Sequence, residues 1–315
     1  MSRQELTMPA LPEPIAHTAG AIYAAYEARE DRTERPYLGA SITGDECDLK
    51  LWLGFRWAFV PEQFDGRKLR LFQTGHIEEA RLIEDLRAAG IEVFDHDPDT
   101  GRQWAVETFD GHFRGHLDGI VTGLPEAPIA RHVLECKSHN EKSYKDLVSK
   151  GVEKAKPVHF SQMQVYMHLT GVQRALYLAV NKNTDEVYSE RVAYDPVKAS
   201  QLMAKAERII HADRPPGGLP KDNYQCGFCP ARGVCRDGLF ARRNCRTCLN
   251  VSAIAGGWRC ELQDWLLTEQ DQRAGCPSHR FIPNLVPGEQ VDVDGDRVVY
   301  RLKGGATWID DGGQG

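Results

Sequence analysis

The sequence predicts an α/β fold, a mixed central sheet flanked by helices, and three observations carry that expectation. Long amphipathic runs (67–89, 196–211) alternate with short apolar runs bounded by Gly, Pro and polar residues. Residues 114–122 read as a strand, 123–128 as a loop and 132–137 as a second strand, and 174–181 and 187–193 form a further strand pair around a polar turn. The 315 residues are 41% hydrophobic and 27% charged, which suits one large domain with a smaller one beside it.

In chain order, residues 1–33 read as a proline-containing leader and an Ala-rich helix (15–30), and 34–38 as a linker. Leu49, Trp52, Leu53 and Phe55 then fall mainly on one helical face, with Trp57 just beyond. The helix over 67–89 closes at Gly90. On it, Glu79 shares a face with Leu82, Ile83 and Leu86, so it should point inward, where a carboxylate needs a partner or a metal. Glu78 sits about 100° round the helix from it. Residues 91–94 and 104–109 are strand-like. The helix over 156–169 places Gln162 and Tyr166 one turn apart on one face, leaving Gln164 to point to the surface. The helix over 196–211 ends before Pro215-Pro216-Gly217-Gly218.

Chemistry concentrates on Asp118 and on Glu135-Cys136-Lys137. Residues at i and i+2 of a strand share a face, so Glu135 and Lys137 project together while Cys136 faces the core. A hairpin between the two segments would bring Asp118 beside Glu135. Two carboxylates and an ammonium at a strand end suit a hard divalent cation, Mg²⁺ or Mn²⁺, with a charged stabiliser next to it. The run Lys137, Lys142, Lys145, Lys150, Lys154, Lys156 reads either as a solvated helix face or as a wall that tracks phosphates. A formal charge of −6 excludes a generic cationic nucleic-acid binder but not a local basic groove. No stretch has the length of a membrane span and no signal peptide is evident, so no membrane partner and a cytoplasmic location (a bacterial or phage-infected cell) are expected.

The stretches Gly75-His76-Ile77-Glu78-Glu79, Asp118, Glu135-Cys136-Lys137 and Gln162-Met163-Gln164-Val165-Tyr166 resemble, in order, the motifs of PD-(D/E)xK nucleases of the RecB-like branch. That resemblance implies a restriction-endonuclease-like core, with Asp118 and Glu135 as metal ligands and Lys137 as the catalytic lysine. Glu79 and His76 would join the metal, and Gln162 and Tyr166 would position the lysine and the DNA strand. It also implies a fourth partner for Cys226, Cys229 and Cys235. Iron–sulfur exonucleases of phages and prokaryotes in that branch take one cysteine before the core, and Cys47 fits, giving a [4Fe–4S] cluster; zinc is the alternative for the same thiols. Beyond it, Cys245-x-x-Cys248, Cys260 and Cys276-x-x-His279 supply five candidates for the four positions of a zinc site. The resulting layout is a nuclease domain over 34–242, a zinc-ribbon-like module over 243–284, and a C-terminal β-hairpin and tail over 285–315 with an Asp-Gly turn. The function implied is metal-dependent DNA exonuclease action on single strands or ends, in recombination, repair or phage replication. Trp52, Phe55 and Trp57 are either stacking faces for bases or core. The alternatives are a nuclease-like protein that binds DNA or a partner with little turnover, and a structure-specific endonuclease. A recombination or replication protein is the partner expected at the zinc module.

Overall fold

The structure, a computed structural model, describes residues 17–295 and 297–312, so the leader expected before residue 17 lies outside it. The chain runs α1 (Thr18–Glu27), β1 (Leu38–Gly39), α2 (Asp48–Phe55), α3 (Gly66–Ala88), β2 (Glu92–Phe94), β3 (Ala105–Thr108), β4 (Phe113–His116), β5 (Gly119–Thr122) and β6 (His132–His139). Then come α4 (Glu141–Ala155), α5 (Pro157–Thr170), β7 (Arg174–Asn181), β8 (Val187–Ala193), α6 (Pro196–His211) and the short α7 (Arg232–Cys235). The last elements are β9 (Val251–Ile254), β10 (Gly257–Cys260), β11 (Trp265–Leu267), α8 (Glu269–Ala274), β12 (Gly288–Asp294), β13 (Arg297–Leu302) and β14 (Thr307–Asp310).

The central sheet has five strands in the order β2-β5-β6-β7-β8. It is mixed, as expected: β6 and β7 are parallel, joined by the α4–α5 crossover, and the other pairs are antiparallel. Strand β6 is covered on both faces. Leu134 and Cys136 join Leu82, Ile83 and Leu86 of α3 in one layer, whereas Val133 and Tyr177 join Leu147 of α4 and Met163, Tyr166 and Met167 of α5 in the other. Helix α3 starts where the Asp65 side chain accepts from the Lys68 N–H at 2.7 Å.

Three expectations need correction. Residues 114–122 are not one strand. Strand β4 pairs with β1 and β3, strand β5 pairs with β2 and β6, and Leu117 sinks into the core between the two ladders. Gln164 is buried, not exposed: its amide donates to Ala193 O (3.0 Å) and accepts from Asp195 N (2.7 Å), tying α5 to the end of β8. The C-terminal hairpin of β12 and β13 carries a third strand, β14.

Trp52, Phe55 and Trp57 are core and not stacking faces. They surround two buried arginines that pin α2 to the C-terminal part. Arg56 donates to the carbonyls of Arg246 and Ala212 (both 2.9 Å), and Arg246 donates to those of Phe55 (2.9 Å) and Pro36 (3.0 Å) and to the Gln272 side chain (2.8 Å). The Arg246 guanidinium lies 3.6 Å from the Trp57 ring centroid and 4.6 Å from that of Trp258. Burial lowers both pKa values, Arg56 to about 10 and Arg246 to about 9. Since buried carbonyls left without donors cost about 1–3 kcal/mol each, Arg246→Ala should destabilise the protein by at least about 3 kcal/mol. A denaturation midpoint unchanged by that substitution would show that the joint is not a stabilising contact.

Candidate active site

Asp118 sits at the break between β4 and β5, and the β5–β6 register sets it beside Glu135. Its Oδ2 accepts the Cys136 N–H at 2.7 Å, which points the carboxylate along the strand that carries the second acid. Glu135 is wholly buried. Its Oε2 accepts from Gln162 Nε2 (3.1 Å), while Oε1 touches the Lys137 ammonium without an aligned hydrogen bond. Lys137 also donates to Cys136 O at 3.1 Å, and its side chain is 28% exposed. Gln162 bridges to the Tyr166 hydroxyl (3.1 Å), which donates to His116 O at 2.7 Å. That close approach requires Gly115, because a Cβ there would lie 2.6 Å from the Tyr166 ring.

The electrostatics follow from this crowding. Burial pushes the Glu135 carboxyl up to about 7, against the pull of Lys137 and with the help of Asp118. Burial and then Asp118 also raise Glu79. Burial alone would lower the Lys137 pKa, but Glu135 and Asp118 outweigh it, so the lysine stays an ammonium. Glu79, on α3, and Asp118 line one cavity of about 330 Å³ with His76, Asp95, His96 and Gln103. His76 is 81% exposed and stands 3.9 Å from Glu79. Glu78 instead lies by Arg81, at 3.6 Å.

The structure thus gathers Glu79, Asp118, Glu135, Lys137, Gln162 and Tyr166, with His76 on the rim. Sequence reasoning missed Asp95, His96 and Gln103, which reach the cavity through the bridge between residues 96 and 103. It also missed His139, on the same face of β6 as Glu135 and Lys137, although the strand period could have found it. His139 Nε2 and His159 Nδ1 each lie 2.9 Å from the Tyr177 hydroxyl.

Eight of the nine cysteines form two groups, and the ninth, Cys136, lies in the core beside α3. Cys47, Cys226, Cys229 and Cys235 line one small pocket with Leu49, Leu53 and Ala231. Cys47 caps α2, its sulfur accepting the Lys50 N–H at 3.4 Å. Burial raises the Cys235 thiol, and the other three thiols add to the shift. In the second group burial lifts Cys245 to about 12, and Cys276, Cys248 and Cys260 all add to it. His279 lies near Thr247 Oγ1 (3.2 Å) and edge-on to Phe281, its backbone N–H donates to Cys276 O at 3.2 Å, and its Nδ1 is buried without a hydrogen-bond partner. Among the described residues, no three His, Cys, Asp or Glu side chains are arranged to hold a metal ion as they stand. No described helix is long and apolar enough to cross a membrane.

No curated protein matches the chain. Among solved structures it is similar to an alkaline exonuclease from Laribacter hongkongensis, at 16% identity and TM-score 0.39 over 60% of this chain and 90% of that one. It is also similar to SSO0001, at 13% identity and TM-score 0.41 over 70% and 98% of the two chains. A phage related exonuclease from Haemophilus somnus 129PT matches at 15% identity and TM-score 0.33 over 44% and 68%. The family model of the PD-(D/E)XK nuclease superfamily matches residues 56–236, more than half of the chain. Asp118, Glu135 and Lys137 fall within that span, and the chain belongs to the PD-(D/E)XK nuclease superfamily.

Proposed function

We propose that this nuclease is a DNA exonuclease dependent on Mg²⁺ or Mn²⁺, acting on single strands or DNA ends in recombination, repair or phage replication. One observation carries the reading: a fully buried carboxylate, Glu135, held between Lys137 and Gln162 with Asp118 on the next peptide. PD-(D/E)XK nucleases typically use divalent metals such as Mg²⁺. The residues here fit one. The Asp118 carboxylate raises the proton affinity of both Glu79 and Glu135, Glu79 adds to that of Glu135, and Glu135 Oε1 has no aligned donor. His76 can add a ligand from the rim. When bound, a divalent ion supplies Lewis acidity and lowers the pKa of water.

The chain's own groups do the rest. Hydrolysis joins a water oxygen to phosphorus as that water gives up one proton to solvent, and breaks one bridging P–O bond, whose leaving oxygen takes a proton from solvent. Lys137, kept protonated by Glu135 and Asp118, stabilises the negative charge gathering on the phosphate and does not act as a base. Gln162 holds Glu135 in place, and Tyr166 ties Gln162 to the strand end that carries Asp118. The convergence of Cys47, Cys226, Cys229 and Cys235 on one pocket supports a [4Fe–4S] cluster joining the two ends of the nuclease domain. The coupling among Cys245, Cys248, Cys260 and Cys276 supports a four-thiolate zinc site, with His279 left as a neighbour, in a module that docks a recombination or replication protein.

A cation must displace the proton that burial holds on Glu135. Its affinity should therefore rise about tenfold per pH unit up to about pH 7 and level off above, as read by calorimetry. In metal-free protein the raised carboxyl contributes stability that is lost as pH rises through about 7, so added cation should lift the melting temperature most above that pH. An affinity flat across the acidic range would remove Glu135 from the ligand set.

Cleavage of end-labelled DNA tests the activity. Linear single strands should shorten progressively while closed circles survive, and Asp118→Asn, Glu135→Gln and Lys137→Ala should each abolish cleavage. Circles cut as fast as linear strands would make the protein an endonuclease. Protein purified without oxygen should be brown and hold iron with acid-labile sulfide. Colourless, fully active protein carrying zinc alone would reject the cluster.

A further inference from the structure

Beyond Lys137 the same face of β6 continues into a polar network with no part in the chemistry above. Lys156 Nζ donates to Ser143 Oγ (2.9 Å), Ser143 Oγ lies 3.2 Å from His139 Nδ1, and His139 Nε2 lies 2.9 Å from the Tyr177 hydroxyl. That hydroxyl is also 2.9 Å from His159 Nδ1. The three rings cluster in a triangle, with centroids 5.9–6.4 Å apart and interplanar angles of 22–27°. Tyr177 reaches this position because β7 runs parallel to β6 with Tyr177 opposite Glu135.

Proton counting gives the network a direction. A lysine ammonium only donates, so Ser143 accepts from it. The order that places every proton on a partner runs from Ser143 to His139 Nδ1, from His139 Nε2 to Tyr177, and from Tyr177 to His159 Nδ1. His159 then carries its own proton on Nε2, the ring nitrogen left outside the chain. His159 is half-buried on α5, one turn before Gln162. The titratable groups that bear on His139 are Lys156, Lys137 and Lys182, and those that bear on His159 are Lys137, His139 and Lys156. Burial and these lysines hold both rings neutral, His139 near 4 and His159 near 3. The lysines of α4 behave differently: Lys145 and Lys150 are satisfied by Glu141 and Asp146, both at 2.6 Å.

A neutral N–H donor among ammonium groups, beside the catalytic lysine, has a phosphodiester oxygen as its natural ligand. We propose that His159, oriented through Tyr177, His139, Ser143 and Lys156, binds a non-bridging oxygen of the phosphate next to the one being cleaved. This rests on the nuclease reading above and names a contact that holds the strand in register.

The test uses the full-length protein, short labelled single-stranded DNA and Ca²⁺ in place of the catalytic ion, with binding read by fluorescence anisotropy. A set of strands carries one neutral methylphosphonate, moved one position at a time along the backbone. Wild type should lose about tenfold in affinity at one position flanking the scissile phosphate, the scale of one charge-assisted hydrogen bond. His159→Phe should bind the unmodified strand about as weakly and show no further loss at that position. Tyr177→Phe keeps the ring packing and removes only the hydroxyl, so it should shrink the same positional loss; it serves if His159→Phe does not fold. Because His159 is neutral, His159→Phe should leave the slope of affinity against salt unchanged, and Lys156→Ala, which removes the donor that fixes Ser143, should shrink the positional loss as Tyr177→Phe does. If wild type and both ring variants lose equally at every position, the network touches no phosphate and the proposal is overturned. Wild type that binds no DNA at all would instead overturn the nuclease reading on which it rests.

Discussion

A carboxylate with no solvent contact sits in the middle of the central strand, and keeping it there is the demand that the neighbouring elements meet. Taking a charge out of water is costly, and removing one partner of a buried pair typically costs about 3–5 kcal/mol. Glu135 is answered from three sides: by Lys137 from its own strand, by Gln162 from α5, and by the apolar layers that hold β6 on both faces. A residual misfit stays at this carboxylate. Lys137 and Gln162 do not fully compensate the acid, since Asp118 and Glu79 press on it and one oxygen lacks an aligned donor. The fold carries that unfavourable term because both core layers close around the strand that holds it.

Much of this site could be read along the chain, and the reasons are local. The period of two puts Glu135 and Lys137 on one side of β6, a hairpin delivers Asp118, and helical spacing pairs Gln162 with Tyr166. The same spacing ranks the two glutamates of α3 the wrong way round for burial, since the Glu79 side chain is 31% exposed and that of Glu78 16%, although Glu79 is the one that lines the cavity with Asp118. What escaped reading depends on register and partners far away in sequence. Tyr177 meets His139 and His159 through parallel pairing, whose offset no turn fixes. Asp95, His96 and Gln103 enter the cavity because a loop folds back across it. Gln164 looked like a surface residue by helical angle, but α5 is enclosed on that side too by the end of β8. The expected strand over 114–122 failed because apolar pattern alone cannot show that a chain leaves one ladder and enters another.

The break between β4 and β5 also explains how an acid comes to stand free of sheet pairing. Residues 117 and 118 belong to neither ladder, so the Asp118 carboxylate can turn to the Cys136 N–H. Tyr166 braces the other side of the break through His116 O, and Gly115 gives it room. Two sheets and one helix therefore meet at the same few atoms.

The arginine joint has a consequence for how such a sequence can drift over generations. Arg56 and the Nη atoms of Arg246 bond only to main-chain oxygens, those of Arg246, Ala212, Phe55 and Pro36. Every residue type carries a carbonyl, so positions 36 and 212 can exchange side chains across a lineage without losing an acceptor. The donors have no such freedom, because a lysine lacks the planar fork that reaches two carbonyls while lying flat on a ring. Descendants of this chain should keep the two arginines and their tryptophans fixed amid changing neighbours.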